Sequence, residues 1–313
     1  MINVMSLVAI WFDALIASAA VLFSRHVLAR RRPRVASLRL EPRVSRGTRA
    51  ALIVAAMVAF AGVGPSATAD DVSPVQIMEK NFIVSKVAGS TQDASVELLN
   101  SQGQRRVRTT YTAAKLQSNG TDYSRMVRYL EPSDVRGTAT LLVEHAASND
   151  DIWVYLPALK KTRRLVASNK KDSFVGTDFS YADVIGHRVN DWQHRIVGDE
   201  NVDGAACYVI ESLPKNDDVK ATSGYSKRKS WIRKDNFVMV KAETWDLADQ
   251  PFKSMHFSDV RLVDQAHGKW QAMISEATNT QTGHKTILRF SNFKLDPGIS
   301  DDVFTTRALE QEP

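Results

Sequence analysis

Residues 127–183 read VRYLEPSDVRGTATLLVEHAASNDDIWVYLPALKKTRRLVASNKKDSFVGTDFSYAD. The apolar residues here come in short runs bounded by turn-forming residues, as strands do. Tyr123–Leu130 alternates around Arg125 and Arg128. Pro132 and Gly137 then shape a turn before the next strand. Thr138–His145 and Ile152–Pro157 form a further pair across the polar loop Ala147–Asp151. Side chains alternate along a strand, so Trp153 and Tyr155 face one way and Val154 and Leu156 the other.

The same texture extends in both directions. Upstream, Ala94–Leu99 and Val107–Thr112 flank Asn100-Ser101-Gln102-Gly103, a hairpin signal. Downstream, strands are expected at His194–Val197, Ala206–Leu213, Lys229–Arg233, Phe237–Trp245, Phe252–Val263, Lys269–Asn279 and Lys285–Lys294. Short polar turns such as Asp203-Gly204 and Thr282-Gly283 join many of them, which favours an antiparallel meander over a parallel sheet. So many strands predict one large curved sheet that partly closes on itself. Only residues 72–87 break the pattern: Val75, Met78, Phe82 and Ile83 recur at helical spacing, Ser73 is placed to cap, and Pro74 stands first.

The chain has 313 residues and a net charge of +6. That charge is not evenly spread. Residues 1–69 hold nine arginines, no lysine and two acids, Asp13 and Glu41, whereas the rest carries 32 basic against 33 acidic side chains. The body is therefore near neutral, and its composition does not point to nucleic acid. Within the leader, Arg46 and Arg49, the apolar run Ala50–Val63 and Ala67-Thr68-Ala69 make up a secretory signal over residues 44–69, cut after Ala69. A run of 14 apolar residues is short for a membrane span. Residues 1–43 contain a second apolar stretch, Val4–Phe23, interrupted by Asp13. It reads either as a membrane segment with a positive flank at Arg25–Arg34 or as sequence upstream of a true start at Val44. Residues 70–313 are expected to form one exported, periplasmic domain.

Four pieces of the central stretch belong together: Glu131–Thr138 (EPSDVRGT), Trp153–Pro157 (WVYLP), Arg163-Arg164, and Ser173–Tyr181 (SFVGTDFSY). Their order and spacing resemble the periplasmic outer membrane lipoprotein-sorting protein family, whose fold is similar to the LolA and LolB lipoprotein carriers. Tyr225-Ser226, Trp231-Ile232 and Asp302-Val303-Phe304 look like later landmarks of that family. The resemblance implies an α+β, mainly antiparallel fold: an open, partly closed β-barrel with a helical lid over an apolar cavity. It further implies a cargo of lipoprotein acyl chains or another lipid, with an inner-membrane transporter and an outer-membrane acceptor as partners. The arginine linked to cargo release in LolA has no counterpart by motif in this sequence. No cysteine follows the expected cleavage site, so the acylated N-terminus of LolB is not expected either.

Trp153 and Tyr155 are candidate cavity residues, against a reading as ordinary core. Phe174, Phe179 and Tyr181 are candidates for a lid with Gly176 as its flexible point, against a loop pinned by its own aromatics. Lys160, Lys161, Arg163 and Arg164 could meet lipid headgroups or a partner's acidic surface, against a solvated hairpin tip. Asp178 is expected to cap a turn or to pair with Arg163 or Arg164.

Catalytic motifs are missing: there is no G-x-S-x-G, G-x-G-x-x-G, phosphate-binding Gly-Lys loop or H-E-x-x-H. Asp183 and His187 share a face if helical, but two ligands do not make a metal site. Cys207 stands alone, which excludes an intrachain disulfide and a Cys-rich zinc site. The expectation is a monomeric, non-enzymatic carrier or chaperone with no cofactor and no metal. A periplasmic regulatory sensor, or an accessory subunit of an inner-membrane lipid transporter, remain as alternatives on the same fold.

Overall fold

The computed structural model describes residues 72–311. The expected signal peptide, its cleavage after Ala69 and residues 1–43 lie outside them. No helix among the described residues is long and apolar enough to cross a membrane.

Helix α1 (Pro74–Ile83) starts where its cap dictates. The Ser73 hydroxyl accepts from Gln76 N–H at 3.2 Å, and the Gln76 side chain accepts from Ser73 N–H at 3.0 Å. This reciprocal box satisfies two otherwise orphaned donors. Ile77 and Met78 then bury against Ile210 and Ile232.

Thirteen antiparallel strands follow: β1 (Gly89–Leu99), β2 (Arg105–Leu116), β3 (Tyr123–Glu131), β4 (Ala139–Val143), β5 (Asp151–Leu156), β6 (Lys161–Leu165), β7 (Trp192–Val202), β8 (Ala205–Pro214), β9 (Lys227–Arg233), β10 (Met239–Trp245), β11 (Pro251–Asp264), β12 (Lys269–Asn279) and β13 (Lys285–Leu295). They form one sheet in the order β6-β5-β4-β3-β2-β1-β13-β12-β11-β10-β9-β8-β7. The chain therefore starts at the middle of the sheet and steps out to one edge at β6. It re-enters at the other edge, β7, and steps back until β13 pairs with β1, Val96 opposite Leu288. Three short helices complete the fold: α2 (Tyr181–Ile185), α3 (Asp217–Ser223) and α4 (Thr306–Leu309).

The register assigns the two faces. Arg125 pairs with Leu142, and Leu142 with Ile152. These residues share the inner face with Val127 and Val154, in a cluster that includes Phe174 and Tyr181. Met126, Leu141, Trp153 and Tyr155 occupy the outer face, under Ile299, Val303, Phe304, Ala308 and Leu309 of the C-terminal segment. The outer-facing Arg128 holds that segment by donating to the carbonyls of Ala308 (2.6 Å) and Leu309 (3.3 Å). A sheet this wide does not stay flat. Its curl is visible in Val184, which packs both against the cluster over β3–β5 and against Ala242, Met255 and Ala277 on β10–β12. No hydrogen bonds join β6 to β7, so the barrel stays open along that seam.

The basic run, weighed in the sequence as a headgroup or partner contact against a solvated hairpin tip, is in part a strand. Lys161–Leu165 pairs with β5 from Leu156 to Ile152. A short edge strand rich in Lys and Arg resists pairing with other chains, and its charge hides its strand character from hydropathy.

Candidate ligand cavity and the segment across it

A cavity of about 350 Å³ lies on the inner face. Strand pairing arranges its wall in rows. Ser90, Ala114 and Arg125 form the row nearest α1, and Gln92, Thr112 and Val127 the next. Farther along, Val96 meets Leu288, and Leu288 meets Ser275, which pairs with Phe257. Asn81 and Ser85, in and just after α1, add polar atoms at the first end. The wall is thus mixed: polar side chains gather beside α1 next to Val84, Tyr123 and Trp270, and beyond it Val96, Leu288 and Phe257 stand among Thr110 and Ser275.

The connection between the two sheet edges, residues 166–191, crosses this face as a strap. Phe174 and Phe179 line the cavity from above. Tyr181 is buried beside them, its ring edge-on to Phe174 at 5.2 Å. Between the aromatics the chain turns tightly, with Thr177 N–H donating to the Phe174 carbonyl at 3.1 Å. Val175 (φ 48°) and Gly176 (φ 78°) occupy the turn. A β-branched residue resists that left-handed conformation, and Arg108 holds it there by donating to the Val175 carbonyl at 2.6 Å.

Two further ties fix the strap. Asp178 accepts from Thr286 Oγ1 at 2.7 Å and lies 2.6 Å from His284 Nδ1. It does not pair with Arg163 or Arg164 as expected, because those side chains sit on the edge strand while Asp178 lies over β13. Downstream, Ser180 caps α2, with Asp183 completing a capping box. The Asp183 carboxylate accepts from Lys253 Nζ at 2.7 Å and from the Tyr225 hydroxyl at 2.9 Å. Burial alone would raise the pKa of Asp183, but the charge of Lys253 overrides it and holds the carboxyl well below its usual range. Burial likewise opposes the charge of Lys253, yet Asp183 keeps its pKa above the ordinary value. His187, 3.5 Å from Asp183, is pushed down to about 4 chiefly by burial, so it is a neutral imidazole at neutral pH. Burial also raises Tyr225 to about 12. The cluster is a buried, hydrogen-bonded anchor joining strap to sheet.

Of the sequence candidates, Phe174, Gly176, Phe179 and Tyr181 lie together in the strap. Trp153 and Tyr155 do not join them. They sit on the opposite face under the C-terminal segment, because the register gives the inner face to their neighbours Ile152 and Val154. Lys160, Lys161 and Arg163 are exposed and have no acidic partner among the described residues, whereas Arg164 pairs with Asp151. Arg125 and Lys253 were not named as site residues from sequence, and Tyr225 was read only as a landmark of the resembled family. The alternation Tyr123, Arg125, Val127, Tyr129 was visible there, but nothing local says which face meets a cavity.

A family model described as an uncharacterized protein matches residues 121–311. A DUF1329 family protein from Desulfovibrio piger shares 30% identity at a TM-score of 0.68, covering 76% of this chain and 99% of that one. A domain named for outer membrane lipoprotein sorting, from Vibrio parahaemolyticus, shares 26% identity at a TM-score of 0.69, covering 76% and 98%. A LolA superfamily protein from Nitrosomonas europaea, 19% identical with a TM-score of 0.57 and coverage of 76% and 99%, is alike in fold. No curated protein matches the sequence.

Proposed function

The chain belongs to the DUF1329 family and shares its fold with a LolA superfamily protein, and from that premise, together with the likeness to a domain named for outer membrane lipoprotein sorting, we propose that it is an exported, non-enzymatic carrier of acyl chains. One observation carries this reading: a largely apolar cavity lies beneath a strap that the chain must lay across the sheet to pass from β6 to β7. Acyl chains leaving a membrane lose roughly 0.8 kcal/mol per exposed methylene. Phe174, Phe179, Leu288 and Phe257 supply the surface that would restore it. Movement of the strap gives loading and release.

Lys160, Lys161 and Arg163 are the proposed contact with anionic headgroups or an acidic partner, beside Leu159, which is 52% exposed at the tip of the β5–β6 hairpin. An inner-membrane transporter on the loading side and an outer-membrane acceptor on the other are the partners this role requires.

The test is to isolate the protein from a bacterial periplasm, determine its N-terminus and identify co-purifying lipid by mass spectrometry. The expected results are an N-terminus at Asp70 and a stoichiometric acyl species. Repeatedly empty protein that fails to bind acyl probes overturns the carrier reading.

A further inference from the structure

Three arginines of the inner face lack a carboxylate within ion-pairing distance among the described residues: Arg108, which donates to the Val175 carbonyl, the buried Arg228, and Arg125, the one of the three that lines the cavity. Lys86 is paired with Glu144 at 2.5 Å, and Lys253 with Asp183 at 2.7 Å. Arg125 lines the cavity but has no carboxylate within ion-pairing distance among the described residues. Its one hydrogen bond goes to the Val184 carbonyl of the strap. A guanidinium carries five N–H donors in a planar fork suited to a carboxylate or phosphate, so most of this donor set is uncommitted. Partial burial of a charge without a counterion is costly unless something supplies one.

The surroundings say what that would be. Beside Arg125 the wall is polar: Ser90 lies in the same row, and in the next Gln92 accepts from Gln271 at 2.7 Å. Farther along the strands Val96, Leu288, Phe257, Phe174 and Phe179 add apolar surface, with Thr110, Ser275 and Thr177 among them. A volume of about 350 Å³ lies at the small end of ligand pockets, which span roughly 300–1,000 Å³, and fits one slender tail. We propose that the cavity selects a single-tailed anionic amphiphile, its carboxylate or phosphate on Arg125 and its tail toward Leu288 and Phe257. This rests on the carrier reading and narrows its cargo by headgroup charge.

The test uses the exported protein loaded with Nile red, a neutral probe. Displacement is measured with hexadecanoate, hexadecyl phosphate and hexadecanol, which share a chain length and differ in the head. Both anions, or one of them, should displace the probe about tenfold or more better than the alcohol, and the stronger anion tells carboxylate from phosphate. Arg125→Gln should erase that preference while keeping affinity for the alcohol, and Arg125→Lys should retain part of it. Equal displacement by alcohol and anions in the unmodified protein overturns the inference and leaves the carrier reading standing. So does a preference that survives Arg125→Gln. If none of the three displaces the probe, the carrier reading fails and this inference with it.

Discussion

Asp183 is the residue on which the strap turns. Its carboxylate is fully buried, and Lys253 is its counterion. Breaking a buried pair by removing one partner leaves the other charge uncompensated. Lys253→Met should therefore lower stability by about 3–5 kcal/mol in urea melts, and adding Asp183→Asn should restore much of it. His187 supplies a pH signature. Its folded pKa, about 4, lies below the unfolded value near 6.5. Between those values the unfolded chain binds more protons than the folded one. Stability contributed by the neutral ring is complete above pH ~6.5 and is lost as pH falls toward 4, by at most about 1.4 kcal/mol per pH unit. His187→Gln should flatten that stretch of the stability curve. The spacing of Asp183 and His187 was legible in the sequence. Their partners were not, because Tyr225 and Lys253 come from 42 and 70 residues away and reach the cluster only through sheet pairing.

At the scale of elements, the strap is a covering segment tied at several points, and Gly176, the proposed flexible point, lies next to Val175, whose carbonyl accepts from Arg108. Asp178 is its central tie, bonded to both Thr286 and His284. Asp178→Ala should speed backbone hydrogen exchange across residues 173–180 by roughly tenfold or more, as expected for a lost charge-assisted hydrogen bond. Exchange within β1 and β13 should stay unchanged. A uniform speeding of exchange throughout the molecule would contradict a local tie. Local chemistry predicted some elements well. The Ser73-Pro74 start of α1 is set by capping, and the alternation of β5 by its own side chains. The face that β5 turns to the cavity depends on register with β4 and on the distant C-terminal segment, so Trp153 and Tyr155 were attractive but misplaced candidates. In β6, charged side chains at an edge conceal a strand, because nothing there needs burying on both sides.

For the whole molecule, charge placement carries the remaining prediction. The body is near neutral, and Lys160, Lys161 and Arg163 stand unpaired at one edge. Each basic side chain near an anionic bilayer is worth about 1 kcal/mol. Reversing all three to Glu should cost at least about 3 kcal/mol of partitioning onto phosphatidylglycerol vesicles, read by co-sedimentation at low salt. Vesicle binding that survives the triple reversal would move the contact elsewhere.

The strand order has a covalent consequence. The first six strands and the last seven are neighbours only where β1 pairs with β13, from Ser90–Leu295 to Leu99–Lys285. The exposed Lys171 and Asp172 lie in the strap, outside every strand ladder. A tryptic nick after Lys171 would sever no strand pairing. Two fragments meeting there should complement each other, reassembling through β1 and β13 with circular dichroism intact, while the loosened cover gives up bound probe. Split in this way, the protein would report separately on what makes the sheet fold and what makes the cavity hold.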